Sequence, residues 1–292
     1  MGIQLLINII LSTSIYLLLA ISYYIIYAAT KEFNLSHAIM ICVAPYILYC
    51  LYFQCNVNIL FATVLSILFT TVLGLISELF IFKSLRKENI ISFYVLMASL
   101  GLYIIVQNCI SMIWGDDTKS IRVGEIKIGH QFLGAHITDI QIITIIVSFV
   151  LFILCVLFLK YHKIGRNIRA VSSNSELCNV VGINSDKIIL WAFGIGSALA
   201  AVAGILVAFD ADMNPTMGFN LLLYGVVAMI IGGVGSTWGL LEGALLLATA
   251  QHLAAYYIGS QWMNAIAYII LILFLLWKPL GFSGKRLKKV EI

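Results

Sequence analysis

Long apolar stretches alternate with short polar segments along the whole chain. The hydrocarbon core of a bilayer is about 30 Å thick, and a helix needs about 20 apolar residues to cross it. The stretches lack the strict alternation of apolar and polar residues that is typical of strands in a membrane barrel. We therefore predict an all-α fold, a polytopic helical bundle in the membrane with about eight to ten transmembrane helices. Nine spans are predicted, at residues 5–28, 37–53, 59–82, 91–114, 140–159, 188–209, 221–234, 240–258 and 265–277.

The sequence leaves the course of the helix open in the second span and after Leu221. Pro45 is expected to kink or break the short second span, because proline lacks the backbone N–H of a helix interior. The glycine-rich residues after Leu221 fit either two spans or one span with a re-entrant segment. Hydropathy alone does not decide between these two arrangements.

Composition and charge agree with a membrane protein and suggest its orientation. Of the 292 residues, 62% are hydrophobic and only 10% are charged, and the mean hydropathy is +1.05, unlike any soluble domain. Lys and Arg accumulate on the cytoplasmic side of membrane proteins. When residues 163–183 are placed in the cytoplasm, 14 of the 17 basic residues fall inside and only Lys119, Arg122 and Lys127 fall outside. This predicts a cytoplasmic C-terminus, and it makes the net charge of +4 a topology signal rather than a nucleic-acid footprint.

The sequence offers little chemistry of its own. The six cysteines are scattered without a CxxC motif, so neither a metal site nor a disulfide is expected. The phosphate-binding motif GxxxxGK[ST] is missing, and "GGVGST" lacks its lysine. An intramembrane enzyme would need a nucleophile at membrane depth, whereas the serine of "GFSG" follows the last span. A secondary transporter or channel without an ATPase stays open as an alternative, although such proteins commonly show an internal repeat that we do not find.

One polar, cationic segment, "KIGRNIRAVSSNSELCNVVGI", separates two of the long apolar stretches. Its pattern predicts two short helices, the second with Ser175 as N-cap, Glu176 in the first turn and Gly182 as C-cap. Helices this short are marginal in water unless they pack on another surface. The segment is therefore either a docking element at the membrane face or an ordinary basic loop.

This segment resembles the cytoplasmic loop of the branched-chain amino acid permease family of ABC importers, with Cys178 where that family has alanine. The matching positions are Gly165, Arg169, Ala170, Asn174, Glu176, Leu177, Gly182 and Ile183. Five further stretches are similar to elements of the same family in the same order, although Ala38 and Ser84 replace its usual glycine and proline. They are "NLSHA" (34–38), "FKSLRKENI" (82–90), "GLYIIVQN" (101–108), "GGVGSTWG" (232–239) and "KPLGFSG" (278–284).

The resemblance implies a single permease domain over residues 1–292, multi-pass in a bacterial inner membrane, with a cytoplasmic coupling loop at 161–187 and an extracytoplasmic loop at 115–139. Its partners would be a second permease subunit, identical or paralogous, two cytoplasmic ATPase subunits and an extracytoplasmic solute-binding protein. The chain itself would hold no cofactor, catalyse no reaction and bind no nucleic acid, since ATP is used by the partners. Branched-chain amino acids are the usual solutes, and urea, short amides and other amino acids are carried by relatives. The implied ATPase-coupling residues are Gly165, Arg169, Ala170, Glu176, Leu177, Gly182 and Ile183.

Small and polar residues inside the spans are candidates for helix packing or for the translocation path. Gly196, Ala200 and Gly204 recur at every fourth position, as do Gly235, Gly239 and Gly243, and such spacing lets helices approach closely in lipid. Glu78 is expected to pair with Lys83 or Arg86, because intramembrane carboxylates are costly. The tentative path or packing residues are Asn34, Ser36, Gln107, Asn108, Gly232, Gly233, Gly235 and Gly239.

The extracytoplasmic loop has its own pattern. Apolar residues alternate around Gly124 in "IRVGEIKIG" and predict a small hairpin on the membrane surface. With Asp116, Asp117, Asp210 and Asp212, this loop fits either a docking surface for a binding protein or a plain solvated loop.

Overall fold

The computed structural model describes residues 2–88, 91–122, 129–132, 134–278 and 280–283. Two segments that the sequence analysis uses lie outside this part of the chain. They are residues 123–128, the centre of the predicted hairpin with Lys127, and the tail residues 284–292, with Lys285, Arg286, Lys288 and Lys289. The described residues form helices and one short hairpin, which confirms the all-α fold class. The helices are α1 (Gly2–Thr30), α2 (His37–Tyr49), α3 (Ile59–Ser77), α4 (Lys83–Lys87), α5 (Ser92–Trp114), α6 (Asp139–Tyr161), α7 (Lys163–Ser173), α8 (Ser175–Val180), α9 (Ser185–Asp210), α10 (Met217–Gly232), α11 (Thr237–Tyr257) and α12 (Met263–Trp277).

Three short helical turns and one hairpin complete the described chain. Two π-helical turns, Cys50–Gln54 and Glu78–Phe82, extend α2 and join α3 to α4, and the 3₁₀ turn Ser260–Trp262 precedes α12. The strands β1 (His130–Phe132) and β2 (Ala135–Ile137) pair antiparallel, immediately after the segment in which the hairpin was predicted.

Seven helical segments in the described residues are long and apolar enough to cross a membrane. Helices α10 and α11 meet that criterion only as a pair, which bends by 117°, so the count rises to eight if the pair is one span. Each of the nine predicted spans coincides with one helical segment, and the bent pair covers the residues for which the sequence left two spans or one span with a re-entrant segment open. Gly233 and Gly235 lie at the bend with φ of 94° and 110°, a backbone region that side chains other than glycine rarely adopt.

Pro45 does not break its helix, since α2 continues through it to Tyr49. Proline removes the N–H that would bond the carbonyl of Ile41, and α9 approaches that carbonyl directly. A Cβ added at Gly204 would collide with the Ile41 carbonyl, and one at Gly218 would collide with the carbonyl of Ala38. Glycines on α9 and α10 therefore let both helices pack against the backbone of α2.

The chain divides into two compact units. The first comprises Met1–Tyr24, Ile128–Tyr161 and Tyr224–Ile292, and the second comprises Ile25–Lys127 and His162–Leu223. The second unit contains α2, α9 and the polar segment after α6, and its α2 and α9 are largely buried. The first unit contains the bent α10–α11 pair and α12.

The structure contains the first predicted glycine stripe in full but only part of the second. Gly196, Ala200 and Gly204 are all buried on α9, as a packing face requires. Gly239 and Gly243 lie on α11 against the backbone of α10, but Gly235 lies in the bend, where an added Cβ would meet no atom within 4 Å. The second stripe therefore begins at Gly239, because the helix that carries it begins only at Thr237.

Candidate functional site

Helices α7 and α8 form the polar segment that the sequence singles out. The side chain of His162 accepts a hydrogen bond from Ile164 N at 3.3 Å and begins α7. Asn174, in an extended conformation, accepts from Leu177 N at 2.9 Å and is the N-cap of α8, one residue before the predicted Ser175. Gly182 follows α8 with φ of 87°, which confirms its predicted place at the helix end.

The two faces of α7 differ in character. Gly165, Ile168 and Val171 are buried, and α7 packs against α9. Lys163, Arg166 and Arg169 are exposed on the other side, and Ala170 is half-buried. An amphipathic helix fixed by its apolar side presents its cationic side to solvent or to a partner.

Helix α8 exposes apolar side chains beside these cations. Leu177, Val180 and Val181, which we call the α8 patch, are 59%, 82% and 65% exposed, whereas Cys178 is buried. Glu176 is exposed next to the patch, and Ile183 is half-buried. Apolar residues left exposed and rimmed by charges are typical of a protein interaction surface.

Charged side chains at the ends of the membrane helices contact one another, and one of them contacts this segment. Lys31, after α1, donates to Ser172 Oγ of α7 at 3.0 Å, and Lys83 pairs with Asp186 of α9 at 3.3 Å. Glu78 bonds to Arg86, which confirms one of its two predicted partners. Arg86 also lies 3.6 Å from Glu32, a contact that the sequence did not suggest because 54 positions separate the two residues.

Burial shifts the pKa values of Lys31 and Glu32, the two residues after α1, in opposite directions. It raises the pKa of Glu32, and the neighbouring Arg86 guanidinium offsets part of that rise. It lowers the pKa of Lys31. In both cases burial disfavours the charged form of the side chain.

The glycine-rich bend is a close packing site in the first unit. A Cβ added at Gly232 would fall on the carbonyl of Gly239, and one at Gly281 would meet the backbone of Gly233. Phe282 N donates to Ile231 O at 2.9 Å and Ser283 N donates to Gly232 O at 3.1 Å. The Ser283 hydroxyl also donates to Glu242 at 3.3 Å. The residues after α12 thus pack against the bend, which favours the packing interpretation of Gly232, Gly233 and Gly239. Gly235 has open space beside it and instead forms the turn.

The comparison with known proteins decides the family. The sequence profile of the family described as "Branched-chain amino acid transport system / permease component" matches residues 5–276. The chain belongs to this permease family.

Several relatives carry descriptive names. LivH of Escherichia coli K12, a high-affinity branched-chain amino acid transport system permease protein, is 33% identical over 195 residues, or 65% of this chain and 63% of LivH. BraD of Pseudomonas aeruginosa, with the same description, is 30% identical over 285 residues, or 93% of this chain and 92% of BraD. XylH of Haemophilus influenzae, a xylose transport system permease protein, is 28% identical over 150 residues, or 49% of this chain and 40% of XylH. No solved structure matches the chain.

The polar residues predicted for the translocation path or for helix packing have different surroundings in the permease. Asn34 Oδ1 accepts from the backbone N–H and the hydroxyl of Ser36, and Leu35 N donates to Ser99 Oγ of α5 at 3.0 Å. Asn34 and Ser36 are buried and fix the start of α2. Asn108 is exposed on α5 and donates to Ile104 O of its own helix at 2.7 Å, and Gln107 beside it is half-buried.

A second group of polar side chains in the permease includes His252, and the sequence did not show that its members lie together. Ser12 Oγ of α1 lies 2.7 Å from His252 Nε2 of α11, and Tyr224 of α10 donates to Asn264 of α12. Gln251 is fully buried and donates to Met263 O, while its Oε1 has no hydrogen-bond partner in the described chain. The only sequence signal was the presence of His252 in an apolar stretch, because the partners come from four distant helices.

Proposed function

We propose that the chain is the transmembrane subunit of an ATP-driven importer for branched-chain amino acids or related small polar solutes. It takes the solute from an extracytoplasmic binding protein and moves it across the inner membrane. Family membership and the names of LivH and BraD support the solute class. The single observation that carries an ATP-driven mechanism is the α8 patch, an apolar surface beside the exposed cations of α7.

The proposed partners follow from this surface. Two cytoplasmic ATPase subunits dock on α7 and α8 of the permease and of a second permease subunit, which is identical or paralogous. The side chains of Leu177, Val180 and Val181 enter an apolar groove, and Arg169 and Glu176 contact its polar rim. ATP binds and is hydrolysed in those subunits, and this chain supplies no catalytic group.

Purification of the tagged permease from its native membrane tests this function. We expect an ATPase subunit carrying the GxxxxGK[ST] motif to copurify, and a binding protein loaded with leucine to stimulate ATP hydrolysis by the complex. Leucine uptake that follows an ion gradient, without a copurified ATPase, would instead identify a secondary transporter.

The two ends of α9 support the proposed orientation within the second unit. Asp186 in the first turn pairs with Lys83, beside the basic α7 segment. Phe209 in the last turn accepts from Arg122 at 3.0 Å, and Lys119 bridges to Met213. The basic segment and the loop that begins at Gly115 thus lie at opposite ends of one long helix. The positive-inside rule puts the basic end of α9 in the cytoplasm, and the basic residues that follow the last span in the sequence favour the same side for the C-terminus.

Cysteine labelling measures this orientation. Ser173 ends α7 and Thr118 lies in the 115–139 loop, and both are exposed. We expect a membrane-impermeant maleimide to modify Thr118→Cys from outside and Ser173→Cys only after the membrane is opened. The parent should lack the exposed Cys55 and Cys109. The reverse pattern of modification would contradict a cytoplasmic α7 and α8.

Polar groups that are exposed at membrane depth support a second subunit and a water-accessible path. Asn108 and Asn264 are exposed and His252 is half-buried, although polar side chains in spans face protein or water rather than lipid. We propose that these faces contact either the second permease subunit or the moving solute.

A further inference from the structure

A buried ionic cluster lies where α3 gives way to α4. Its members are Glu32, Glu78 and Arg86, which we call the Arg86 cluster. Glu78 is 1% exposed, and Arg86 and Glu32 are 16% and 15% exposed. Arg86 donates to Glu78 through both terminal nitrogens and approaches Glu32 with Nη1. One guanidinium therefore holds two carboxylates from different parts of the chain.

Stability alone does not explain such an arrangement. Removing charges from water is costly, so a buried ion cluster commonly contributes no more to stability than apolar residues of the same volume would. Two carboxylates for one cation make this cost larger still. The geometry instead fixes one relative position of the two segments, since the planar fork of arginine sets both distance and direction.

The cluster lies between the α7 segment and a membrane helix. Glu32 follows Lys31, whose ammonium bonds to Ser172 of α7. Glu78 begins the π-helical turn Glu78–Phe82, in which the helical register of the α3–α4 rod changes. Such turns occur frequently at functional sites, because the extra residue lets a helix shift locally. A path of direct contacts thus runs from α7 through Lys31 and Glu32 to Arg86 and Glu78.

We propose that the Arg86 cluster is a positioning site that couples movement of α7 to α3 during ATP-driven transport, an inference that rests on the proposed function. When the ATPase displaces α7, the segment after α1 moves with it. Arg86 then transmits that displacement to the π-helical turn of α3. Breaking one side of the cluster leaves ATPase docking in place and separates hydrolysis from solute movement.

The variants Glu32→Gln and Arg86→Lys test this coupling. Glu32→Gln is the milder change, because it keeps the side-chain shape and the Arg86–Glu78 pair. Arg86→Lys keeps the charge, but an ammonium lacks the fork that holds two carboxylates. The matched control is Lys83→Gln, which removes a partly exposed ion pair at the same end of the unit, with side chains 32% and 44% exposed.

The measurement is leucine taken up per ATP hydrolysed by the complex in proteoliposomes, with leucine-loaded binding protein. We expect both cluster variants to retain the ATPase, while leucine uptake per ATP falls about tenfold. In the double variant this ratio should fall no further than in either single variant. The control should stay within about twofold of wild type. Wild-type ratios in both variants, or losses that only follow a reduced yield of complex, would overturn the proposal. A wild-type complex without ATP-dependent leucine uptake would instead refute the proposed function, so the two failures are distinct.

Discussion

Gly239→Leu is expected to prevent the permease from accumulating as a folded protein in the membrane. The Cα of Gly239 faces the carbonyl of Gly232, and Ser283 lies on the same side, so that an added Cβ would come within 3.3 Å of its Cβ. Overpacking a core commonly costs about 1–3 kcal/mol when side chains can move aside. Here the obstructing atoms are backbone atoms of a helix that is itself fixed by the Ser283 N–Gly232 O bond, so we expect a larger cost.

The matched control for this substitution is Gly101→Leu on α5. A Cβ added at Gly101 would meet no atom within 4 Å, so the same side chain enters open space. Replacing a helical glycine commonly stabilises a helix by about 0.5–1 kcal/mol, and this variant should be at least as stable as wild type. The yield of monodisperse protein in detergent, measured by size-exclusion chromatography, compares the two, and thermal denaturation follows for any protein that is recovered. Equal yields and melting temperatures for the Gly239 and Gly101 variants would refute the close approach of α11 to α10.

The helical segments were predictable because each depends on local composition. Trp114 and Gly115 mark the predicted and observed end of α5, since Gly115 leaves the helix with φ of 82°. The sequence also limited the partner of Glu78 to Lys83 or Arg86, because a buried carboxylate needs a nearby cation, and the structure pairs it with Arg86, 8 positions away. Hydropathy and the cost of buried charge were sufficient for both predictions.

Features that depend on distant contacts were not predictable. Pro45 stays inside α2, and Gly204 of α9 lies against the Ile41 carbonyl that proline leaves without its helical partner; hydropathy contains no information about that neighbour. Glu32 joins Arg86 across 54 positions for the same reason. The α8 patch was hidden too, since the sequence places Leu177 and Cys178 side by side without indicating which of them is exposed.

The second large effect is expected at the α8 patch, where the variant Leu177→Asp should lose the ATPase. Leu177 is 59% exposed and lies in the first turn of α8, where the helix dipole favours a carboxylate and the Asn174 cap is unaffected. The chain should therefore fold and insert as before. In a docked complex, however, the change removes an apolar contact of about 1.5–3 kcal/mol and places a carboxylate in an apolar groove.

We therefore expect Leu177→Asp to weaken ATPase binding by about 3 kcal/mol or more, over a hundredfold, because the lost contact and the buried charge add together. Leu177→Met, which keeps volume and polarity, should bind normally. Arg169→Glu tests the polar rim beside the patch: an exposed ion pair contributes about 1 kcal/mol or less, so a larger loss of bound ATPase indicates desolvation at an interface. The measurement is ATPase retained on the purified permease, together with hydrolysis stimulated by leucine-loaded binding protein. Full retention and stimulation in both Leu177→Asp and Arg169→Glu would make α7 and α8 an ordinary basic loop, and the ATPase would then have to bind elsewhere.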